Sequence, residues 1–294
     1  MLQRNWLVTG VSSGFGRIIT ERLLAHGDSV AGTVRDLSIM NDLKAEYGDR
    51  LWLAELDLSE TASIRAVVDQ AWAALGRIDV VVSNAGYGLI GAAEELSDEQ
   101  VRHQIDTNLV GSIQLIRAAL PHLRAQGGGR ILQLSSMGGQ VAFPGGSLYH
   151  ATKWGIEGFV EAVAQEVGVF GIGCTLIEPG GARTDFRNRS AKVAPMLAAY
   201  DPSPSRLVNR IMADNTHPSP GDPEKMVDAM IASVDQEPAP RRVALGSDAY
   251  QVMHAQLSVR LDALEAQRDL ACSTDFPAED GAEDTHPWFA SASQ

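Results

Sequence analysis

The stretch NWLVTGVSSGFGRIITERLLAHG, residues 5–27, decides the fold. It opens as a short apolar run, turns through Gly10, Gly14 and Gly16, and continues with apolar residues at helical spacing. The pattern predicts a strand over 5–9 and a helix over 14–26. Glycine permits positive φ and close backbone approach, and a helix starting here aims free amides and its positive dipole end at whatever the loop holds. A tight turn with glycines kept only for packing would use the same letters. Between a strand and a helix in a first βαβ unit, the loop instead points to a dinucleotide pyrophosphate.

Outward from this unit, apolar or β-branched runs alternate with longer helical patterns to about residue 180. Strands are expected over 29–34, 51–56, 80–83, 130–134 and 173–178, with a seventh at 242–245. Helices are expected over 61–75, 97–125, 148–170 and 248–270; Ser97 and Gln100 make a capping box for the second of these. Near-continuous apolar strands suit burial on both faces. The expected fold is therefore single-domain α/β of the Rossmann type, a doubly wound parallel sheet with helices on both faces. Ligands of such sheets bind beyond the carboxyl ends of the strands. Residues 1–270 form the expected domain, with a proline-rich lid or loop at 185–223, and 271–294 an acidic flexible tail.

Composition narrows the function. The hydrophobic share is 45%, the charged share 21%, and no apolar run is long enough for a membrane span. A net charge of −13, with five acids and no lysine or arginine from Asp275 onward, argues against a nucleic-acid partner. The N-terminus goes straight into a strand, which makes the cytoplasm the expected location. Two cysteines, an inert Cys174 and Cys272, give no disulfide framework, and the seven histidines lack ligand spacing, so no metal is expected.

The end of the second strand selects the dinucleotide. An acid there favours NAD by accepting from the ribose hydroxyls, whereas a cation accommodates the extra phosphate of NADP. Val34 occupies the acid's place and Arg35 follows, so NADP is favoured over NAD, although Asp36 adjoins and Arg35 also suits a solvated surface. Asp57 has two readings, a partner for the adenine amino group or a helix N-terminal acid.

Further motifs follow in order: SNAG at 83–86, TNLVG at 107–111, LSSMGG at 134–139, YHATK at 149–153 and PGGART at 179–184. With the glycine loop they resemble the short-chain dehydrogenase/reductase superfamily, in its standard-length branch similar to hydroxysteroid and retinol dehydrogenases. The resemblance implies a catalytic tetrad of Asn108, Ser136, Tyr149 and Lys153. It implies cofactor contacts at Gly10, Ser12, Ser13, Gly14, Phe15, Gly16, Arg35, Asp57, Leu58, Asn84, Ala85, Gly86, Tyr149, Lys153, Pro179, Gly180, Ala182 and Thr184. It also implies a homodimer or homotetramer, for which Ala151, Gly155 and Gly158 would supply a close-packing helix surface or serve packing within one subunit. Ser83 departs from the family, which usually has asparagine there.

The chemistry follows from residue types. Carbonyl reduction needs a hydride on carbon and a proton on oxygen. A tyrosine, with a pKa of about 10, suits neutral pH better beside an ammonium that favours phenolate. Tyr149 and Lys153, one turn apart on one helix face, meet that need. Ser136 lies thirteen residues before Tyr149, with Ser135 expected to face away. Asn108 inside a helix suggests a bend or a water site. Taken singly, each has a structural reading as turn, irregularity, half-buried aromatic or solvated charge. An apolar substrate pocket is expected from Tyr87, Gly138, Val141, Phe143 and Gly145, with Met196, Leu197 and Tyr200 either closing over it or packing on the sheet. The expected function is an NADP(H)-dependent oxidoreductase interconverting a ketone or aldehyde with its alcohol, Tyr149 acting as general acid/base on an apolar substrate. The alternatives are a non-catalytic NADP-sensing protein on the same fold and an epimerase or dehydratase.

Overall fold

The computed structural model describes residues 3–184, 186, 190–213 and 219–276. Parts of the expected lid (185, 187–189 and 214–218) and most of the expected tail (277–294) lie outside the described residues. The chain divides into two compact units, Met1–His254 and Ala255–Gln294. The boundary expected at 270 falls within the second.

The order through the first unit is β1 (Asn5–Thr9), α1 (Gly14–His26), β2 (Ser29–Val34), α2 (Asn41–Tyr47), β3 (Leu51–Glu55), α3 (Thr61–Leu75), β4 (Val80–Ser83) and β5 (Gly88–Ile90). Then follow α4 (Asp98–Ile105), α5 (Gly111–Ala125), β6 (Gly129–Leu134), α6 (Ser147–Val167), β7 (Ile172–Pro179), β8 (Ala191–Val193), α7 (Arg206–Ala213), α8 (Pro223–Ser233) and β9 (Arg242–Leu245). The helix α9 (Ser247–Glu265) crosses into the second unit, where α10 (Arg268–Ser273) follows. The helix expected over 248–270 is thus two helices.

Seven strands pair in parallel in the order β3-β2-β1-β4-β6-β7-β9. Trp6 of β1 lies opposite Val30 of β2 and Val80 of β4, so the chain reverses direction across the sheet between β1 and β4. Alternate strand residues feed two separate cores. Leu7, Ala31, Val81 and Ile131 pack with α3, α5 and α6, while Trp6, Val8, Val30, Val82 and Leu132 pack with α1 and α8. Burial on both faces removes the polar alternation of a one-faced sheet, which is why these strands read as continuous apolar runs.

Two departures shape the site. The helix expected over 97–125 is split by a π-helical turn, Asp106–Val110, that contains Asn108. Directly after it, a Cβ on Gly111 would stand 2.6 Å from the carbonyl oxygen of Leu58, so the helix passes the β3 loop at a distance only glycine allows. Second, the segment expected as loop contributes β8, which pairs with β5 as a small parallel sheet matching Gly88 with Ala191 and Leu89 with Lys192. The same segment ends at α8, whose N-cap Asp222 accepts from the amides of Glu224 and Lys225.

Candidate active site

The glycine loop is built by close backbone packing. Gly10 takes φ +73°, and a Cβ there would meet Ala85 at 3.1 Å; its amide donates to the Thr33 carbonyl at 2.9 Å. The Asn84 side chain donates to the Thr9 carbonyl at 2.8 Å, and the Thr9 hydroxyl accepts from the amides of Asn84 and Ala85. The loops after β1 and β4 are thereby clamped together. At Gly16 a Cβ would stand 2.2 Å from the Gly10 carbonyl oxygen. Ser13 caps α1 with extended backbone and no side-chain bond, and no acid occupies the first turn, so the helix amides stay open.

A cleft of about 490 Å³ runs along the carboxyl ends of the strands at the β1/β4 reversal. Every residue expected to touch the cofactor lines it except Gly16. Gly16 is buried behind the loop, where it lets α1 lie against Gly10 and Asn84. At the end of β2, Arg35 is exposed and lines the cleft. Asp36 turns away to cap its own turn, accepting from the amide and hydroxyl of Ser38 at 2.9 and 2.6 Å. Asp57 accepts from the amide and hydroxyl of Ser59, bonds that hold its carboxyl below the ordinary value against the opposing effect of partial burial.

Ser136, Tyr149 and Lys153 meet on one wall. Ser136 accepts from the Gly138 amide at 3.0 Å and hydrogen bonds to Tyr149, while Ser135 donates to buried Glu157. Burial pushes the Tyr149 phenol above its ordinary value, with the Ser136 bond pulling the other way. The expected lowering by Lys153 does not prevail, because the ammonium lies 5.7 Å from the ring centroid and donates to the Leu134 carbonyl at 2.8 Å. Burial lowers Lys153 to about 8, opposed by Glu157 one turn on. Glu157 also binds Arg242, which reaches Glu178; burial, then the charge of Glu157, pushes Glu178 up to about 7.

Asn108 stands behind the wall and does not line the cleft. Its side chain accepts from the Tyr87 amide at 3.0 Å and donates to the Tyr87 carbonyl at 2.7 Å. The π-turn therefore serves as an anchor for the loop after β4.

Residues 4–194 match the family model described as short chain dehydrogenase. The chain belongs to the short-chain dehydrogenase family. Oxidoreductase BOA17 of Botryotinia fuckeliana (strain B05.10) is 33% identical over 274 residues, covering 92% of this chain and 98% of the relative. A solved short-chain dehydrogenase from Streptomyces avermitilis superposes with a TM-score of 0.87 at 37% identity, covering 94% of this chain and all of that one. Serine dehydrogenase complexed with NADP+ does so with a TM-score of 0.68 at 30% identity, covering 82% and 93%.

In this short-chain dehydrogenase the pocket beyond Tyr149 differs from the apolar one expected. Val141 is buried with Ala249 and Met253, and Phe143 packs against them. Gly138 and Gly145 sit where a Cβ would meet His150 and the Ser205 carbonyl, and neither lines the cleft. Met196 and Leu197 are exposed, and the Tyr200 hydroxyl donates to Glu94, so none of the three closes over it. Of that group Tyr87 alone lines the cleft, joined by Ile90, His103, Thr107, Phe186 and Lys192. His103 and Thr107 gave one faint signal, polar residues four apart ahead of Asn108; Lys192 gave none. Of the expected subunit-packing glycines, Gly155 packs against Leu109 of its own chain, while Gly158 has open space around it.

Proposed function

We propose that this chain is an NADP(H)-dependent oxidoreductase interconverting a ketone or aldehyde with its alcohol. The observation that carries the reading is the convergence of Ser136, Tyr149 and Lys153 on the wall of a cleft floored by the glycine loop. The cradle suits a dinucleotide: Gly10 takes a positive φ, Gly16 leaves no room for a Cβ, and the uncapped start of α1 offers amides to phosphate. Arg35 would take the additional phosphate of NADP, with Asp36 committed to Ser38 and so not competing for the ribose. The 30% identical serine dehydrogenase, complexed with NADP+, agrees with that choice.

When bound, the reduced nicotinamide supplies the hydride. The chain's own residues handle the oxygen. Tyr149, held neutral by burial, carries at its hydroxyl the proton the carbonyl oxygen needs. Ser136, fixed by the Gly138 amide, lies beside that hydroxyl, and its one O–H turns from Tyr149 to the carbonyl oxygen when substrate is present. Lys153 stays charged at neutral pH and favours the phenolate left once the proton has moved. Asn108 has its side chain spent on Tyr87, which leaves only the π-turn main chain for any part in a proton relay.

A panel of ketones and alcohols, followed by absorbance of the reduced cofactor with both NADPH and NADH, tests the reading. Tyr149→Phe is expected to lower kcat by roughly 10²–10⁴ while retaining cofactor binding. A Phe variant as active as the native chain removes Tyr149 from the mechanism.

A further inference from the structure

Beside Tyr149, on the side facing β5 and β8, the cleft carries a second polar cluster that the hydride chemistry does not use. Lys192 is exposed there with its ammonium 5.3 Å from the centroid of the Tyr87 ring. Among the described residues no carboxylate pairs with it, and its nearest aromatic face is that of Tyr87. The Tyr87 hydroxyl stands 2.8 Å from His103 Nδ1. Whichever way that bond runs, one donor remains: the tyrosine O–H if the imidazole donates, the Nε2–H if it accepts. Four residues beyond His103, Thr107 lines the same cleft with its Oγ1 buried and without a hydrogen-bond partner.

The charge of the cleft points the same way. Among its described lining residues the one carboxylate is Asp57, at the cofactor end beside Arg35, away from Lys192. An ammonium and a spare neutral donor at one aromatic ring, with an unpartnered hydroxyl in the same cleft, make a site for an anionic oxygen group.

Resting on the function proposed above, we infer that the carbonyl substrate carries a carboxylate, held by Lys192 together with the Tyr87–His103 pair. The substrate class is thus an oxo acid and its hydroxy acid rather than an unadorned apolar ketone. The leucine that pairs with Lys192, Leu89, is buried, so the small sheet fixes the lysine's backbone while its side chain reaches the cleft.

The test pairs straight-chain oxo acids, from oxobutanoate to oxodecanoate, with their methyl esters. kcat/KM is measured with each, and binding to the enzyme–NADP+ complex is followed by calorimetry. For at least one chain length the acid is expected to exceed its ester about tenfold or more, a difference of about 1.4 kcal/mol. Lys192→Met is expected to bring that ratio toward one, and Lys192→Arg to restore most of it. Esters matching acids at every length overturn the inference. So does a Lys192→Met effect equal on acid and ester, or one confined to the KM of the cofactor. If no carbonyl compound turns over although cofactor binds, the proposed function fails by itself; acid-over-ester binding that depends on Lys192 then still sustains the carboxylate site, and its absence removes it.

Discussion

The two ends of the cleft are held in place by different forces. At the glycine end the surface is largely main chain: Gly10 and Gly16 sit against Asn84 and Ala85, and Thr9 bridges neighbouring loops through neutral hydrogen bonds. At the lysine end the surface is side chain, brought from positions near 87, 103 and 190, and its third segment is secured by a buried ion pair. Arg206 donates to both oxygens of Glu95 at 2.7 and 3.1 Å, and Glu95 also accepts from the amides of Ala92 and Leu197. One end is fixed by the absence of side chains next to a strand, the other by a charge pair spanning more than a hundred residues. The first is fixed by main-chain packing; the second rests on this charge tether together with the pairing of β8 with β5.

Cutting the tether is the strongest way to test this contrast. Arg206→Met keeps much of the volume but leaves the Glu95 carboxylate buried beside two amides alone, and Tm is expected to fall by about 5–10 °C. Replacing both residues with methionine is expected to recover part of the loss, since no buried charge remains. The pH dependence has a definite sign. Bonding to Arg206 holds Glu95 at about 2, below its ordinary 4.5, so its contribution is complete above about pH 4.5 and is lost as pH falls toward 2. The gap between the native chain and Arg206→Met, followed by thermal unfolding, should close across that interval. Cofactor affinity should change far less than stability, because the glycine end does not share the tether; an equal loss of NADPH binding would show the two ends to be one mechanical unit.

The reverse intervention is expected to have a smaller effect on stability and a larger one on the cofactor. At Gly16 an added methyl meets the Gly10 carbonyl and the Asn84 side chain, so the helix must shift away from the loop. Gly16→Ala is expected to cost about 1–3 kcal/mol of stability and to weaken NADPH binding in direct titration. Unchanged affinity would mean that the loop geometry tolerates the shift.

What the sequence discloses follows the same division. The strands at Asn5–Thr9, Ser29–Val34, Val80–Ser83 and Arg242–Leu245 lie where their apolar runs place them, because burial and short-range pattern agree. The glycine loop is legible for a related reason: its function is written into φ and backbone spacing. β5 and β8 are three residues each and pair across about a hundred positions, so nothing local announces them. The π-turn breaks a continuous helical pattern and shows only as an asparagine out of place. α8 carries a local signal, Asp222 ahead of Pro223 as cap and first-turn residue, yet it begins where the proline-rich segment ends and no element is expected there from the sequence. Lys192 gains meaning only once Tyr87 lies beneath it.

Arg35 is the mildest intervention and the one that separates charge from architecture at the glycine end. Its side chain is exposed, so Arg35→Ala should leave the stability within about 0.5 kcal/mol of the native value. Because Asp36 spends its carboxylate on Ser38, removing the arginine does not uncover an acid that would turn the site toward NAD. The expected outcome is therefore a loss rather than an inversion: kcat/KM with NADPH falls about tenfold, near 1.4 kcal/mol, while the value with NADH stays constant. Parallel decline with both cofactors would make Arg35 a contact to the shared adenosine half. No decline with either would leave the choice between the two dinucleotides to the loop residues Ser12 and Ser13.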